Sequence, residues 1–109
     1  QNKVNTLTPE QVSQHLDKGD ITILDVRTPE EWSEGVIDGA VLKNFYDDDF
    51  ARYLETMDNN KPIIVTCKRG GRSAKAADQM QKSGFKEVYN MDAGMDGWND
   101  EKRPTVMPE

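Results

Sequence analysis

Cysteine and histidine are nearly absent from this chain of 109 residues, which contains one cysteine, Cys67, and one histidine, His15. A single cysteine excludes an intramolecular disulfide, a zinc site built from several thiolates and an oxidoreductase that cycles a pair of thiols. Together the two side chains offer too few soft ligands for a common transition-metal centre, so we expect no metal. We expect no cofactor either. A cysteine protease is equally unexpected, because its thiol needs an oriented histidine and His15 lies in a distant predicted helix.

Long apolar runs and an excess of positive charge are also missing. No stretch is long and apolar enough to span a membrane, and the formal net charge of −6 argues against binding to the phosphates of nucleic acid. We expect a soluble monomer with neither a membrane nor a nucleic-acid partner. The compartment stays open, because Gln1 at the first position is compatible with a trimmed terminus in the cytoplasm or with export to the periplasm after removal of a signal.

Strand-like and helix-like segments alternate along the chain. The length predicts a single domain over residues 1–109. Short β-branched runs at residues 21–24 and 63–66 alternate with helical patterns such as residues 73–83. This order predicts an α/β fold whose parallel sheet is covered on both faces. Ligands of such sheets bind beyond the carboxyl ends of the strands, where Cys67 is placed directly after a buried run.

Three polar clusters predict where helices begin. Thr8 with Gln11, and Thr28 with Glu31, have the spacing of capping boxes, and a proline follows each threonine at the first helical position. The three aspartates at residues 47–49 precede a further helical pattern. We expect them at the start of that helix, where its dipole favours negative charge, rather than in a calcium site.

The cysteine lies in the one strongly positive segment of the chain. No acid occurs between residues 59 and 77, whereas five cations do, and they give this segment a charge of +5 in a chain of net charge −6. These cations are Lys61, Lys68, Arg69, Arg72 and Lys75. The pattern indicates that an anion binds close to the sulfur.

The residues around Cys67 favour a reactive thiol over a small buried core residue. A strand, a turn with Gly70 and Gly71, and then a helix form an arrangement in which backbone N–H groups converge on an anion. The N-terminus of the helix adds unpaired N–H groups and partial positive charge. We expect these groups to lower the pKa of the thiol from about 8.5, so that a thiolate forms without a histidine base.

Three motifs in the sequence resemble those of the rhodanese family. Residues 67–72, Cys-Lys-Arg-Gly-Gly-Arg, resemble its active-site loop, C-x-x-G-x-R. Residues 25–40 and residues 93–104 are similar to its N-terminal and C-terminal signatures, so that the resemblance covers about residues 7–106. The sequence departs from the family pattern at Val36, Ala93 and Lys102, where a histidine and two glycines are frequent, and these departures concern loop shape more than chemistry.

The resemblance implies a fold, an activity and a set of site residues. It implies a three-layer α/β fold with a central, mainly parallel sheet of five strands flanked by helices. It also implies a sulfurtransferase of the thiosulfate:cyanide type, in which Cys67 takes a sulfane sulfur from thiosulfate or a persulfide donor. The resulting persulfide would pass that sulfur to cyanide, a thiol or a partner protein. The residues expected to bind the anionic donor and the persulfide are Lys68, Arg69, Gly70, Gly71, Arg72 and Ser73.

Two charged residues of the N-terminal motif are assigned a supporting role. Asp25 and Arg27 are expected to stabilise the active-site loop, with Arg27 pairing with Glu31. The alternative is a surface salt bridge, which would contribute little to stability.

Other functions stay open at this point. A dedicated persulfide carrier or regulatory module would have the same cysteine and loop. Dual-specificity phosphatases and arsenate reductases have a related fold. The active-site loop typical of these enzymes is longer than the loop of this chain by one residue between the cysteine and the arginine. Four residues separate Cys67 from Arg72, which favours a sulfur over a phosphate, and arsenate reduction normally needs a second cysteine. The physiological donor and acceptor stay open.

Overall fold

A computed structural model describes residues 4–108 of the chain. Gln1, whose processed or trimmed origin the sequence leaves open, lies outside the described residues. The strands are β1 (Asn5–Thr6), β2 (Thr22–Asp25), β3 (Val41–Leu42), β4 (Ile63–Thr66) and β5 (Val88–Asn90). The helices are α1 (Pro9–Lys18), α2 (Pro29–Trp32), α3 (Phe50–Glu55), α4 (Gly71–Lys82) and α5 (Gly94–Asp100). None of the helices in this part of the chain has both the length and the apolar character needed to cross a membrane.

The five strands form one sheet in the order β1-β5-β4-β2-β3, and every pairing between neighbours is parallel. Ile64 of the central strand β4 is in register with Ile23 on one side and with Tyr89 on the other. The α/β prediction and the five-stranded parallel sheet are therefore confirmed. Because Cys67 directly follows β4, it lies at the carboxyl edge of the sheet, near its middle.

The sheet is buried on both faces. Successive residues of β4 point to opposite sides, so that Val65 joins the hydrophobic cluster of α3 and α4, whereas Ile64 joins that of α1 and α5. Every residue of β4 is buried. Helices on both faces hold this strand and fix the position at which the loop after it begins.

Both predicted capping boxes are present. Thr8 Oγ accepts a hydrogen bond from the backbone N–H of Gln11, and the Gln11 side chain accepts one from the N–H of Thr8. Thr28 and Glu31 make the same reciprocal pair at the start of α2. These interactions span only three residues, which explains why the sequence predicts them.

The aspartates at residues 47–49 directly precede α3, as predicted, but the expected capping role is wrong for the Asp49 side chain. Asp49 is the N-cap residue of α3, but its side chain makes no capping hydrogen bond. Instead, the Lys43 ammonium group lies 2.7 Å from Asp49 Oδ1 and 3.2 Å from Asp47 Oδ2. Lys43 directly follows β3, and its ammonium group is the partner of the Asp47 and Asp49 carboxylates.

Candidate active site

The carbonyl groups that follow β4 are bound by the N-terminal turn of α5. The backbone N–H of Met95 donates to the Cys67 carbonyl at 2.8 Å, and that of Asp96 donates to the Lys68 carbonyl at 3.0 Å. These bonds satisfy the two carbonyls, while the Gly70 N–H further along the loop is directed at the sulfur. The loop is therefore oriented by a helix that lies almost thirty residues later in the sequence.

The sulfur of Cys67 accepts hydrogen bonds from the loop and from α4. The Gly70 backbone nitrogen lies 3.0 Å from Sγ and the Ser73 Oγ lies 3.4 Å from it. The helix α4 begins at Gly71 rather than at the predicted residue 73, because Gly70 takes a left-handed conformation and ends the loop there. Ser73 is consequently in the first turn of α4, where the unpaired N–H groups of the helix are directed at the thiol.

These contacts lower the pKa of the Cys67 thiol. Burial acts in the opposite direction and would raise the pKa, since only 1% of the residue is exposed. Hydrogen bonds from the Ser73 hydroxyl and from the backbone N–H groups of Ser73, Gly70 and Arg69 outweigh burial, so that the pKa falls below its ordinary value. A thiolate is favoured here by neutral dipoles that are already in place.

Only one of the two loop glycines is required by its surroundings. Gly70 has a φ of 98°, and a Cβ at this position would lie 2.9 Å from the carbonyl carbon of Asp92 and closer still to its oxygen. Gly94 lies on the opposite side of the same close approach, where a Cβ would lie 2.5 Å from the carbonyl carbon of Lys68. Gly71 has no atom within 4 Å of the equivalent position. The contact between the loop and the turn before α5 therefore depends on Gly70 and Gly94.

The fold brings two acids into the positive segment. Asp96 on α5 lies 2.9 Å from Arg69 Nε and 3.4 Å from Lys68 Nζ. Glu31 on α2 binds Arg72. The segment without acids in the sequence is thus partly neutralised in space, which sequence reasoning missed because both acids come from distant parts of the chain.

The predicted pairing of Arg27 with the Glu31 side chain was wrong. Arg27 binds the Asp25 carboxylate, with Nε at 3.0 Å from Oδ1 and a terminal nitrogen at 2.8 Å from Oδ2. Its other hydrogen bonds go to the backbone carbonyls of Glu31 and Gly35. The side chains of Asp25 and Arg27 are only 1% and 4% exposed, so this is not a surface salt bridge either. A carboxylate buried to this degree needs a partner, and Arg27 is near enough in the chain to provide it.

Arg72 and Glu31 form a bidentate ion pair that connects α4 to α2. The two terminal nitrogens of Arg72 lie 2.7 and 2.8 Å from the two carboxylate oxygens of Glu31. The hydrogen bond from Arg72 holds the pKa of Glu31 down from 4.5 to about 2, with burial opposing the shift and Thr28 assisting it. The carboxylate in turn raises the pKa of Arg72. Such paired geometry positions the guanidinium at the edge of the loop.

Replacing Glu31 with glutamine is expected to cost about 2 kcal/mol of folding stability at pH 7, after allowance for its partial exposure. Because the folded-state pKa of Glu31 lies below its unfolded value, the carboxylate stabilises the fold above about pH 4.5. That stabilisation is lost as the pH falls toward 2, since both states then bind the proton. Urea unfolding of the two proteins between pH 7 and pH 3 measures the difference.

Glu30→Gln is the matched control, because Glu30 lies in the same first turn of α2 but is exposed and forms no ion pair among residues 4–108. We expect this variant to change stability by no more than about 0.5 kcal/mol. A stability loss in Glu31→Gln that stays constant across the pH range would contradict the assignment of the ion pair.

An open cavity of about 510 Å³ lies above the sulfur. Its walls are formed by the loop and the first turns of α4, with Cys67 at the base, and its other lining residues are Lys68, Arg69, Gly71, Arg72 and Lys75. Gly70 and Ser73 do not line the cavity, but both donate hydrogen bonds to Sγ. All residues predicted to bind the donor or the sulfur thus meet in one place, whereas Asp25 and Arg27 support the neighbouring segment and do not reach the sulfur.

Three charged residues of the site were not assigned to it from the sequence: Glu31, Asp96 and Lys75. Asp96 and Glu31 occur inside the two motifs flanking the loop, which was a usable signal for their proximity. Lys75 was counted in the positive segment without a role.

Comparison with known proteins finds a family model, related sequences and a related crystal structure that agree with one another. A model of the family described as "Rhodanese-like domain" matches residues 8–101. The thiosulfate sulfurtransferase GlpE of Pseudoalteromonas translucida is 36% identical over 84 residues, which cover 76% of this chain and 77% of that protein. A sulfurtransferase of Allochromatium vinosum is 28% identical and covers 97% of this chain and 98% of its own length. The crystal structure of a rhodanese-like domain protein from Staphylococcus aureus superposes with a TM-score of 0.83 at 27% identity, covering 97% of this chain and 100% of that one.

Proposed function

The chain belongs to the rhodanese-like domain family, and we propose that it is a sulfurtransferase that works through a persulfide on Cys67. The donor is a small anion with a sulfane sulfur, such as thiosulfate, and the acceptor is cyanide, a thiol or a protein thiol. Relatives named as sulfurtransferases support the class of reaction. The main support for this mechanism is the pair of hydrogen bonds that the Cys67 sulfur accepts from the Gly70 N–H and the Ser73 hydroxyl.

In the first half-reaction, the Cys67 thiolate attacks the sulfane sulfur of thiosulfate. A lone pair of the thiolate forms the new S–S bond, the S–S bond of the donor breaks, and its electron pair leaves with sulfite. No proton is transferred, so no general base is needed, which agrees with a lowered pKa of the thiol. The charge moves onto the outer sulfur of the persulfide, where the converging N–H groups stabilise it.

In the second half-reaction, the acceptor attacks the outer sulfur and the Cys67 thiolate leaves. The buried Cys67 is 1% exposed, whereas an additional sulfur about 2 Å further out lies toward the open cavity. An acceptor therefore meets the outer sulfur first. This geometry favours transfer of that sulfur over attack on the sulfur of the cysteine itself.

The cations of the loop differ in their freedom to bind a donor. Lys68 and Arg69 share the Asp96 carboxylate, and each is well exposed, so that both can contribute to attracting an anion. Arg72 was predicted to orient the donor, and that role stays a prediction. Since both its terminal nitrogens bind Glu31, the contribution we propose for Arg72 is to hold the loop against α2.

A turnover assay separates this function from its rivals. The protein is mixed with thiosulfate and cyanide to detect thiocyanate, and in parallel with an aryl phosphate to detect hydrolysis. We expect continuous formation of thiocyanate and no phosphate release. Hydrolysis of the aryl phosphate without thiocyanate would contradict the proposal, and a single sulfur bound per chain without turnover would favour a dedicated carrier.

A further inference from the structure

Lys75 lies on α4, one turn after Arg72, and lines the cavity above Cys67. We propose that Lys75 selects the donor by charge: its ammonium group binds the sulfonate end of a dianionic donor while the sulfane sulfur meets Cys67. This inference rests on the proposed sulfurtransferase function. Lys75 lies outside the loop motif, which ends at Arg72.

The other cations of the cavity already have acidic partners. Lys68 and Arg69 are bound to Asp96 at 3.4 and 2.9 Å. Arg72 is bound to Glu31 through both of its terminal nitrogens. Three cations and two carboxylates leave a net charge of +1 for these two clusters together.

Lys75 is exposed and forms no ion pair with any residue from 4 to 108. The nearest following acid on the same helix, Asp78, is bound to Lys82 at 3.0 Å. Lys75 therefore contributes a full unit of charge, as much as the other three cations and their two acids combined. Removing it would lower the summed charge of these four cations and two carboxylates from +2 to +1, before the Cys67 thiolate is counted.

The chemistry of lysine suits this role. Its ammonium group is a compact charge on a flexible stem, so that it can follow a sulfonate group as the donor approaches and as sulfite departs. Lys75 takes no part in bond making, because the electron pair of the breaking S–S bond leaves on sulfite. Its effect should appear in the capture of the donor and should grow with the donor's charge.

The test measures the rate of persulfide formation on Cys67 in single-turnover experiments with two donors. Thiosulfate carries two negative charges, whereas methanethiosulfonate carries one and releases methanesulfinate in place of sulfite. The variants are Lys75→Gln, Lys75→Arg and, as a matched control for net charge, Lys86→Gln. Lys86 is exposed and precedes β5, at the amino ends of the strands and thus on the opposite side from Cys67.

We expect Lys75→Gln to slow the second-order reaction with thiosulfate about five- to tenfold at low ionic strength, and that with methanethiosulfonate about two- to threefold. The loss should nearly vanish at salt on the order of 1 M, where screening acts over about 3 Å. Lys75→Arg and Lys86→Gln should stay close to the wild type. The wild type must first load sulfur from both donors, and failure to do so would overturn the proposed function itself.

Three results would overturn the role of Lys75 while leaving the proposed function intact. The first is an unchanged rate with thiosulfate in Lys75→Gln at low salt. The second is an equal loss with both donors at every salt concentration, which a change of packing would cause. The third is an equal loss in Lys75→Gln and Lys86→Gln, which would attribute the effect to overall charge.

Discussion

Replacing Cys67 with serine is expected to reduce thiocyanate formation to the rate measured without protein. Cys67 is the only cysteine of the chain, so no neighbouring thiol can take over the sulfur. A serine hydroxyl can keep the hydrogen bonds from the Gly70 N–H and with the Ser73 hydroxyl. It is not ionised near neutral pH and cannot carry a sulfane sulfur, so the fold should persist while the activity is lost.

The measurement combines the turnover assay with thermal unfolding of both proteins. A midpoint close to that of the wild type would show that the variant is folded, so that the loss of activity reflects the missing thiolate. Thiocyanate formation by the Cys67→Ser protein above the rate without protein would contradict the persulfide mechanism.

Replacing Gly70 with alanine is expected to cost about 2 to 4 kcal/mol of stability and to lower the rate of sulfur transfer more than tenfold. Two effects add. A non-glycine residue is strained at a φ of 98°, and the new Cβ would collide with the backbone of Asp92, which cannot rotate away as a side chain could. Relief of that contact would shift the loop and with it the Gly70 N–H that lies 3.0 Å from the sulfur.

Gly71→Ala provides a matched control in the adjacent position. An added Cβ there meets nothing within 4 Å, and Gly71 is the first residue of α4, where alanine is well tolerated. We expect its stability to stay within about 1 kcal/mol of the wild type and its activity to be retained. Urea unfolding and thiocyanate formation are measured for both variants under conditions in which each is folded. Equal effects in the two variants would show that the close approach between the loop and Asp92 is not what requires glycine.

The features predicted correctly from the sequence are those decided by residues close together in the chain. The capping boxes at Thr8 and Thr28 depend on partners three residues away. The alternation of strands and helices follows from local patterns and restricts the sheet to a parallel arrangement. Cys67 follows the central strand β4, so its position at the carboxyl edge could also be predicted before the neighbours of that strand were known.

The charge balance of the site could not be predicted in the same way. Glu31 and Arg72 are separated by 41 residues, and Arg69 and Asp96 by 27. The sequence shows which charges exist but not which of several acids each cation meets after folding. Arg27 illustrates the difficulty, since Asp25 and Glu31 were both within reach, and burial of Asp25 decided the outcome.

The physical reason for the fixed glycine of the loop was also beyond the sequence. The motif C-x-x-G-x-R has its glycine at Gly70 and leaves the position of Gly71 variable, but it does not show that Gly70 faces the backbone of Asp92. That contact exists because α5 folds back against the loop and binds the carbonyls of Cys67 and Lys68. A packing contact of this kind becomes visible only once the helices have their positions around the sheet.

The persulfide on Cys67 can be detected directly from the mass of the wild-type protein after treatment with thiosulfate. The protein is incubated with an excess of thiosulfate, freed of small molecules and examined intact, then digested to locate the change. We expect a gain of one sulfur atom on the peptide containing Cys67, and its loss with release of thiocyanate when cyanide is added. An unchanged mass, or a gain located on any other residue, would contradict the persulfide on Cys67 and the function proposed for this site.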